Sequence, residues 1–243
     1  MFKSSVDQFV SKSGYPGFKI KAVFFDMDGV LFDSMKFHAD AWVKAMNDIK
    51  IPFTHYEAYM NEGRTGHSTI DGAFMKNVGR TATEEEKQEI YRLKSNHFEA
   101  YGPSETMPFA SELLDMVRNQ GLQIFLVTGS GQPTLIDSLQ VHFPGVFIKE
   151  RMVTAFDVVQ GKPFPEPYLK ALKKSRMQPW EVVVVENAPL GVQSAVAAGL
   201  FTIAVNTGPL ESSVLAHSGA NIVLDGGMKE LHQVWEQIST IQL

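Results

Sequence analysis

The sequence predicts an α/β protein: a Rossmann-like parallel-sheet core in three α/β/α layers, with a helical cap domain inserted after the first strand. Three observations carry this expectation. Short, unbroken apolar runs recur between helical patterns, as strands buried on both faces require. Three of the runs end directly in Asp26, Thr128 and Glu186, so polar groups collect where open parallel sheets bind ligands. Between Asp26 and Thr128 lies far more chain than one crossover helix needs.

The elements follow in order. Residues 1–18 lack the apolar stretch of a signal peptide and read as a short, partly frayed N-terminal extension. Residues 22–25 form the first strand. Over 34–49, Met35, Ala39, Trp42, Met46 and Ile49 recur near the helical period. Thr83 followed by Glu86 reads as a capping box ahead of Ile90, Leu93 and Phe98. Residues 35–105 are therefore expected as the cap, and 19–34 with 106–243 as the core. A helix over 109–119 with Gly121 as its stop returns the chain to the sheet. Strands are expected at 123–127, 182–185, 202–205 and 221–224, followed by a tail helix around Leu231, Val234, Trp235 and Ile238.

Composition narrows the function. The chain of 243 residues is 44% hydrophobic and 20% charged, enough for a packed core, and carries a net charge of −5. That balance argues against a nucleic-acid binder. The chain has no cysteine, which excludes disulfides, thiolate metal sites and a cysteine nucleophile. No window approaches the ~18 apolar residues of a membrane span. The expectation is a soluble, cytoplasmic monomer.

Asp26-Met27-Asp28-Gly29 is the most informative segment. Two carboxylates just past a buried strand can divide labour between nucleophile and general acid–base; the plain alternative is an Asp-rich β-turn. This segment resembles the first motif of the haloacid dehalogenase-like superfamily, and the other motifs follow in order. Val127-Thr128-Gly129-Ser130 resembles the second, Gly161-Lys162-Pro163 the third, and Val185-Glu186-Asn187-Ala188-Pro189 the fourth. Within the superfamily the likeness is to β-phosphoglucomutase and related sugar-phosphate phosphatases.

The resemblance implies Mg²⁺-dependent phosphoryl transfer on a small sugar phosphate. Asp26 is the implied nucleophile, forming an aspartyl-phosphate, and Asp28 the acid and base. Thr128, Lys162 and the backbone near Gly129 and Ser130 hold the phosphoryl group. Asp26, Asp28 through its carbonyl, Glu186 and Asn187 hold the metal. Asn187 departs from the commoner acid, which implies weaker Mg²⁺ binding or a larger role for Glu186; as plain structure it reads as a helix N-cap. In the cap, His38 and Lys94 match residues of the mutase, and Trp42 reads first as packing. Arg64, a candidate substrate-binding residue, lies two residues before Gly66, where the mutase has an arginine gripping the far phosphate; a shifted loop could still present it. That missing clamp favours a phosphatase, with the mutase as runner-up and a phosphosugar sensor without turnover as a third reading.

Overall fold

The computed structural model describes residues 2–131 and 133–243, with residues 133–136 described by their backbone alone. The elements run α1 (Phe2–Ser13), β1 (Ala22–Phe25), α2 (Met35–Asp48), α3 (His55–Met60), α4 (Gly66–Val78), α5 (Glu84–Glu99), α6 (Ala110–Asn119), β2 (Gln123–Val127) and α7 (Pro133–His142). Then come β3 (Met152–Val153), α8 (Glu166–Ser175), β4 (Val182–Glu186), α9 (Pro189–Ala197), β5 (Phe201–Val205), α10 (Ser212–His217), β6 (Ile222–Leu224) and α11 (Gly227–Ser239).

The six strands form one parallel sheet in the order β3-β2-β1-β4-β5-β6. Strand alternation assigns its two faces. Val23, Phe25, Val183 and Val185 join one core with residues of α1, α6 and α11. Ala22, Phe24, Val182 and Val184 join a second core with α8 and α9. These are the three expected layers. The chain reverses its direction across the sheet at β1, so the ends of β1, β2 and β4 frame the crevice. Phe25 pairs with Leu126 on one side and Val185 on the other, which brings the residues that follow them together.

Helices α2 to α5 carry an apolar cluster of their own, including Ala39, Met46, Ile70, Phe74 and Ile90. Thr83 and Glu86 form the expected reciprocal capping box at α5. Ala41 and Phe98, from the other faces of α2 and α5, join the main core instead. The chain leaves and re-enters the core at neighbouring points, where Asp33 N donates to Glu105 O at 2.9 Å.

Three features differ from expectation. The N-terminal segment is an ordered helix: Phe2, Val6, Phe9 and Val10 follow the helical period and pack on the core. Phe9 meets Phe18 and Phe201 edge-on, at 6.1 and 5.3 Å between centroids. Strand β3 was not anticipated, because two residues at a sheet edge are too short to show a period. The N-cap of α9 is Ala188, not Asn187, whose side chain is engaged elsewhere. Among the described residues no helix is long and apolar enough to cross a membrane.

Candidate active site

The site begins at the end of β1. Asp26 N donates to Val185 O at 3.0 Å, carrying the strand pairing one residue further, and both carboxylates of the turn are buried. Gly29 sits at φ 79°, in the left-handed region, and a side chain there would collide with Asn187. Glycine thus provides both the turn and the close approach of the β4 loop. Thr207 Oγ1, beyond β5, donates to Gly29 O at 2.7 Å and braces the turn.

Lys162 is fully buried and reaches back to this turn. Its Nζ donates to Asp26 Oδ1 at 2.6 Å, to Val127 O at 3.1 Å, and to Glu186 Oε1. Burial opposes the ammonium, but the charges of Asp26 and Glu186 outweigh it and raise its pKa above the ordinary lysine value. Asp26 is pushed up to about 8: burial raises it most, Lys162 lowers it, and Glu186 and Asp28 add repulsion. Asp26 and Glu186 thus share a single buried lysine.

Thr128 follows β2 and is buried beside Asp26. Its Oγ1 accepts the backbone N–H of Ser130 at 2.9 Å, which leaves the hydroxyl proton free to donate into the pocket. Of the backbone N–H groups expected to serve near Gly129 and Ser130, that of Ser130 is used within the loop. Gly129 packs against the carbonyls of Gly63 and Arg64 and leaves no room for a side chain.

The cap completes the enclosure. Asp28 Oδ1 accepts from Ser34 Oγ at 2.6 Å and lies 3.2 Å from His38 Nε2. Burial alone would raise the Asp28 carboxyl; His38 and Ser34 outweigh it and hold it below the usual carboxylate range. Lys94 Nζ lies 2.7 Å from His38 Nδ1. An ammonium there donates, so the ring proton resides on Nε2, facing Asp28. Burial lowers the Lys94 pKa to about 7. Trp42 is partly buried against the cap's apolar cluster and lines the pocket, with Lys94 Nζ 5.7 Å from its ring centroid. Arg64 also lines the pocket, and its Nε is buried without a partner.

Glu62 was not anticipated. It is buried, comes from the loop after α3, and its Oε1 accepts from Asn187 Nδ2 at 2.8 Å across the cap–core boundary. Burial raises its carboxyl well above the ordinary value. No local pattern marks it, since one acidic loop residue is unremarkable until the fold buries it. Asn187 Oδ1, on the other side of the same amide, is buried and has no partner. An orphaned amide oxygen beside clustered carboxyl groups is a fitting receptor for a hard cation. Among the described residues no three carboxylate or imidazole groups close a ligand set by themselves.

The model of the haloacid dehalogenase-like hydrolases matches residues 20–199, a span that includes every site residue named in this section except Thr207. This chain belongs to the haloacid dehalogenase-like hydrolases. A solved structure from Bacteroides vulgatus, provisionally named a β-phosphoglucomutase, is 49% identical with a TM-score of 0.95, covering 98% of this chain and 97% of that one. The β-phosphoglucomutase of Bacillus subtilis is 25% identical over 226 residues, 90% of this chain and 96% of the relative. Hexitol phosphatase A of Escherichia coli is 29% identical over 188 residues, 77% and 84% of the two chains. This haloacid dehalogenase-like hydrolase is a phosphoryl-transfer enzyme.

Proposed function

We propose that the protein is an Mg²⁺-dependent phosphohydrolase acting on a small phosphorylated metabolite through an aspartyl-phosphate. The convergence of Lys162 on Asp26, at 2.6 Å in a buried pocket, carries this reading. Asp26 attacks phosphorus and the ester oxygen leaves with a proton delivered through Asp28, which takes it from His38 Nε2–H as Lys94 supplies a proton to His38 Nδ1; Asp28 then takes a proton from the water that attacks the acyl phosphate. The chain Lys94–His38–Asp28 holds the acid–base group in line. Thr128 donates to the transferring oxygens, and Lys162 neutralises their charge. Asp26, the Asp28 carbonyl and Asn187 Oδ1 would hold the metal, with Glu186 and Glu62 behind them. When bound, the ion screens repulsion between the phosphate and Asp26. We infer that residues 35–105 act as a cap over the core, and that the enzyme works as a cytoplasmic monomer.

Two observations favour hydrolysis over the mutase reaction. A mutase must hold a bisphosphorylated sugar and present either end to Asp26. The ring of Tyr91 lies against Gly66 and takes the room a side chain there would need, so no arginine clamp fits at that position. The cavity beside Asp26 has a volume of about 60 Å³, against ~300 Å³ for the smaller of ordinary small-molecule pockets. A cavity of this volume suits a compact leaving group. The relatives' names point to sugar phosphates, and the volume favours the smallest of them.

Phosphorus NMR tests the proposal. The protein is incubated with Mg²⁺ and a panel spanning hexose, hexitol and triose phosphates and inorganic pyrophosphate, the last as the most compact donor. Free phosphate accumulating, fastest for the compact members, is the expected result. Glucose 6-phosphate accumulating from β-glucose 1-phosphate with a trace of glucose 1,6-bisphosphate would establish the mutase instead. Binding without turnover of any member would establish a sensor.

A further inference from the structure

The carboxylate of Glu186 is saturated. Its Oε1 accepts from Lys162 Nζ and, at 2.6 Å, from the hydroxyl of Tyr168. Its Oε2 faces the backbone N–H groups of Asn187 and Ala188, at 3.1 and 3.3 Å. Gly191 on α9 packs directly against the carboxylate and admits no side chain. A carboxylate pair offers about four lone-pair directions, and all are taken. Glu186 thus faces away from the transferring group and towards the lysine.

Tyr168 is the donor in this set that neither the motifs nor the chemistry above explains. It is fully buried on α8, and its ring serves the same lysine: Lys162 Nζ lies 5.4 Å from the ring centroid. One side chain therefore touches both members of the Lys162–Glu186 pair, its face against the cation and its hydroxyl on the anion.

We propose that Tyr168 is a positioning residue for phosphoryl transfer, its hydroxyl sharing Glu186 Oε1 so that Lys162 stays committed to Asp26. The two donors compete for one oxygen. Where the hydroxyl is present, part of the oxygen's accepting capacity goes to tyrosine. Remove it and Oε1 has Lys162 as its sole donor, since Glu186, Tyr168 and Lys162 are all fully buried. The ammonium is then drawn towards Glu186 and away from Asp26 and the phosphoryl oxygens. Binding of the rest of the substrate is untouched, so the loss falls on the chemical step. This inference rests on the phosphoryl-transfer role given to Asp26 and Lys162 above.

Tyr168→Phe separates the two contacts, because phenylalanine keeps the ring and loses the hydroxyl. The expected result is a fall in kcat of about 10- to 100-fold, typical for a group that orients a site ligand, with KM within about twofold and an equal fall in kcat/KM. The crystal structure of the variant should show the Lys162 Nζ–Asp26 Oδ1 contact, 2.6 Å in the wild type, lengthened beyond hydrogen-bonding range. Because the effect passes through Glu186, Tyr168→Phe combined with Glu186→Gln should be no slower than Glu186→Gln alone. Unchanged kcat in Tyr168→Phe overturns the proposal. So does a slower variant in which the Lys162–Asp26 contact is unaltered, or a double variant whose losses add. If the wild type turns over no phosphate compound at all, the proposed function fails, and the crystallographic comparison by itself decides for or against Tyr168.

Discussion

Asp26 and Lys94 show how strongly single residues in this pocket depend on their neighbours. Asp26→Asn removes the nucleophilic oxygen, so phosphate release measured with the preferred substrate should vanish; retained turnover would refute the covalent route. Lys94 makes a prediction about stability. Its pKa is about 7 when folded, below the 10.5 of an exposed lysine. Between these values the unfolded chain holds a proton that the folded chain does not. Stability from this group therefore rises with pH from about 7 upwards, by at most about 1.4 kcal/mol per pH unit. Below pH 7 the penalty of the buried ammonium is present in full. Melting curves from pH 6.5 to 9.5 should show Lys94→Met losing that rise, while wild type keeps it. Glu62 makes a third case. Its carboxyl sits well above the ordinary pKa in the metal-free pocket, where glutamine is a close mimic of the neutral acid. Glu62→Gln should leave the metal-free melting temperature unchanged and raise the Mg²⁺ needed for half-maximal phosphate release about tenfold. An unaltered Mg²⁺ titration would remove Glu62 from the cation's surroundings.

At the scale of elements, the strands and the longer helices were legible because their faces are uniform. β1, β2, β4 and β5 are buried throughout or nearly so, and they read as continuous apolar runs. The capping box of α5 was visible because its two partners are three residues apart. The first helix was misread as frayed, since four apolar positions among polar ones gain meaning only from the surface they cover. That surface is Phe18 and Phe201. Phe9→Ala should cost about 3–5 kcal/mol, as for other buried aromatics, read from urea unfolding. A cost below about 1 kcal/mol would mean that the helix adds little to the core.

At the scale of the whole molecule, cap and core meet along a narrow seam. Glu62 bonds to Asn187, Gly63 lies against Lys162, and the carbonyls of Gly63 and Arg64 press on Gly129. Thr65 abuts Gly161 in the same way. Core glycines here let the cap loop descend onto the reacting groups. Gly129→Ala should hold the loop off the core and lower kcat/KM without a matching loss in melting temperature, because the residue is packed by the cap and not by the sheet. An equal loss of both would make Gly129 a folding residue.

The sequence by itself determined the chemistry of the core: two carboxylates on one turn, a hydroxyl and an acid–amide pair, each at the end of a strand, and a lysine in the loop before α8. Strand order and β1 pairing then necessarily gather them, because side chains that follow adjacent parallel strands share one edge. The separation of the cap from the core was also legible, as surplus chain between the first two motifs. The tertiary structure decided what surrounds those groups. Glu62 and Tyr168 become site residues only because the cap loop and α8 fold against β4. Tyr91 and Gly66 both line the small cavity, and they meet there only through the fold. These contacts join segments far apart in the chain and obey no local period, so composition and spacing carry no trace of them.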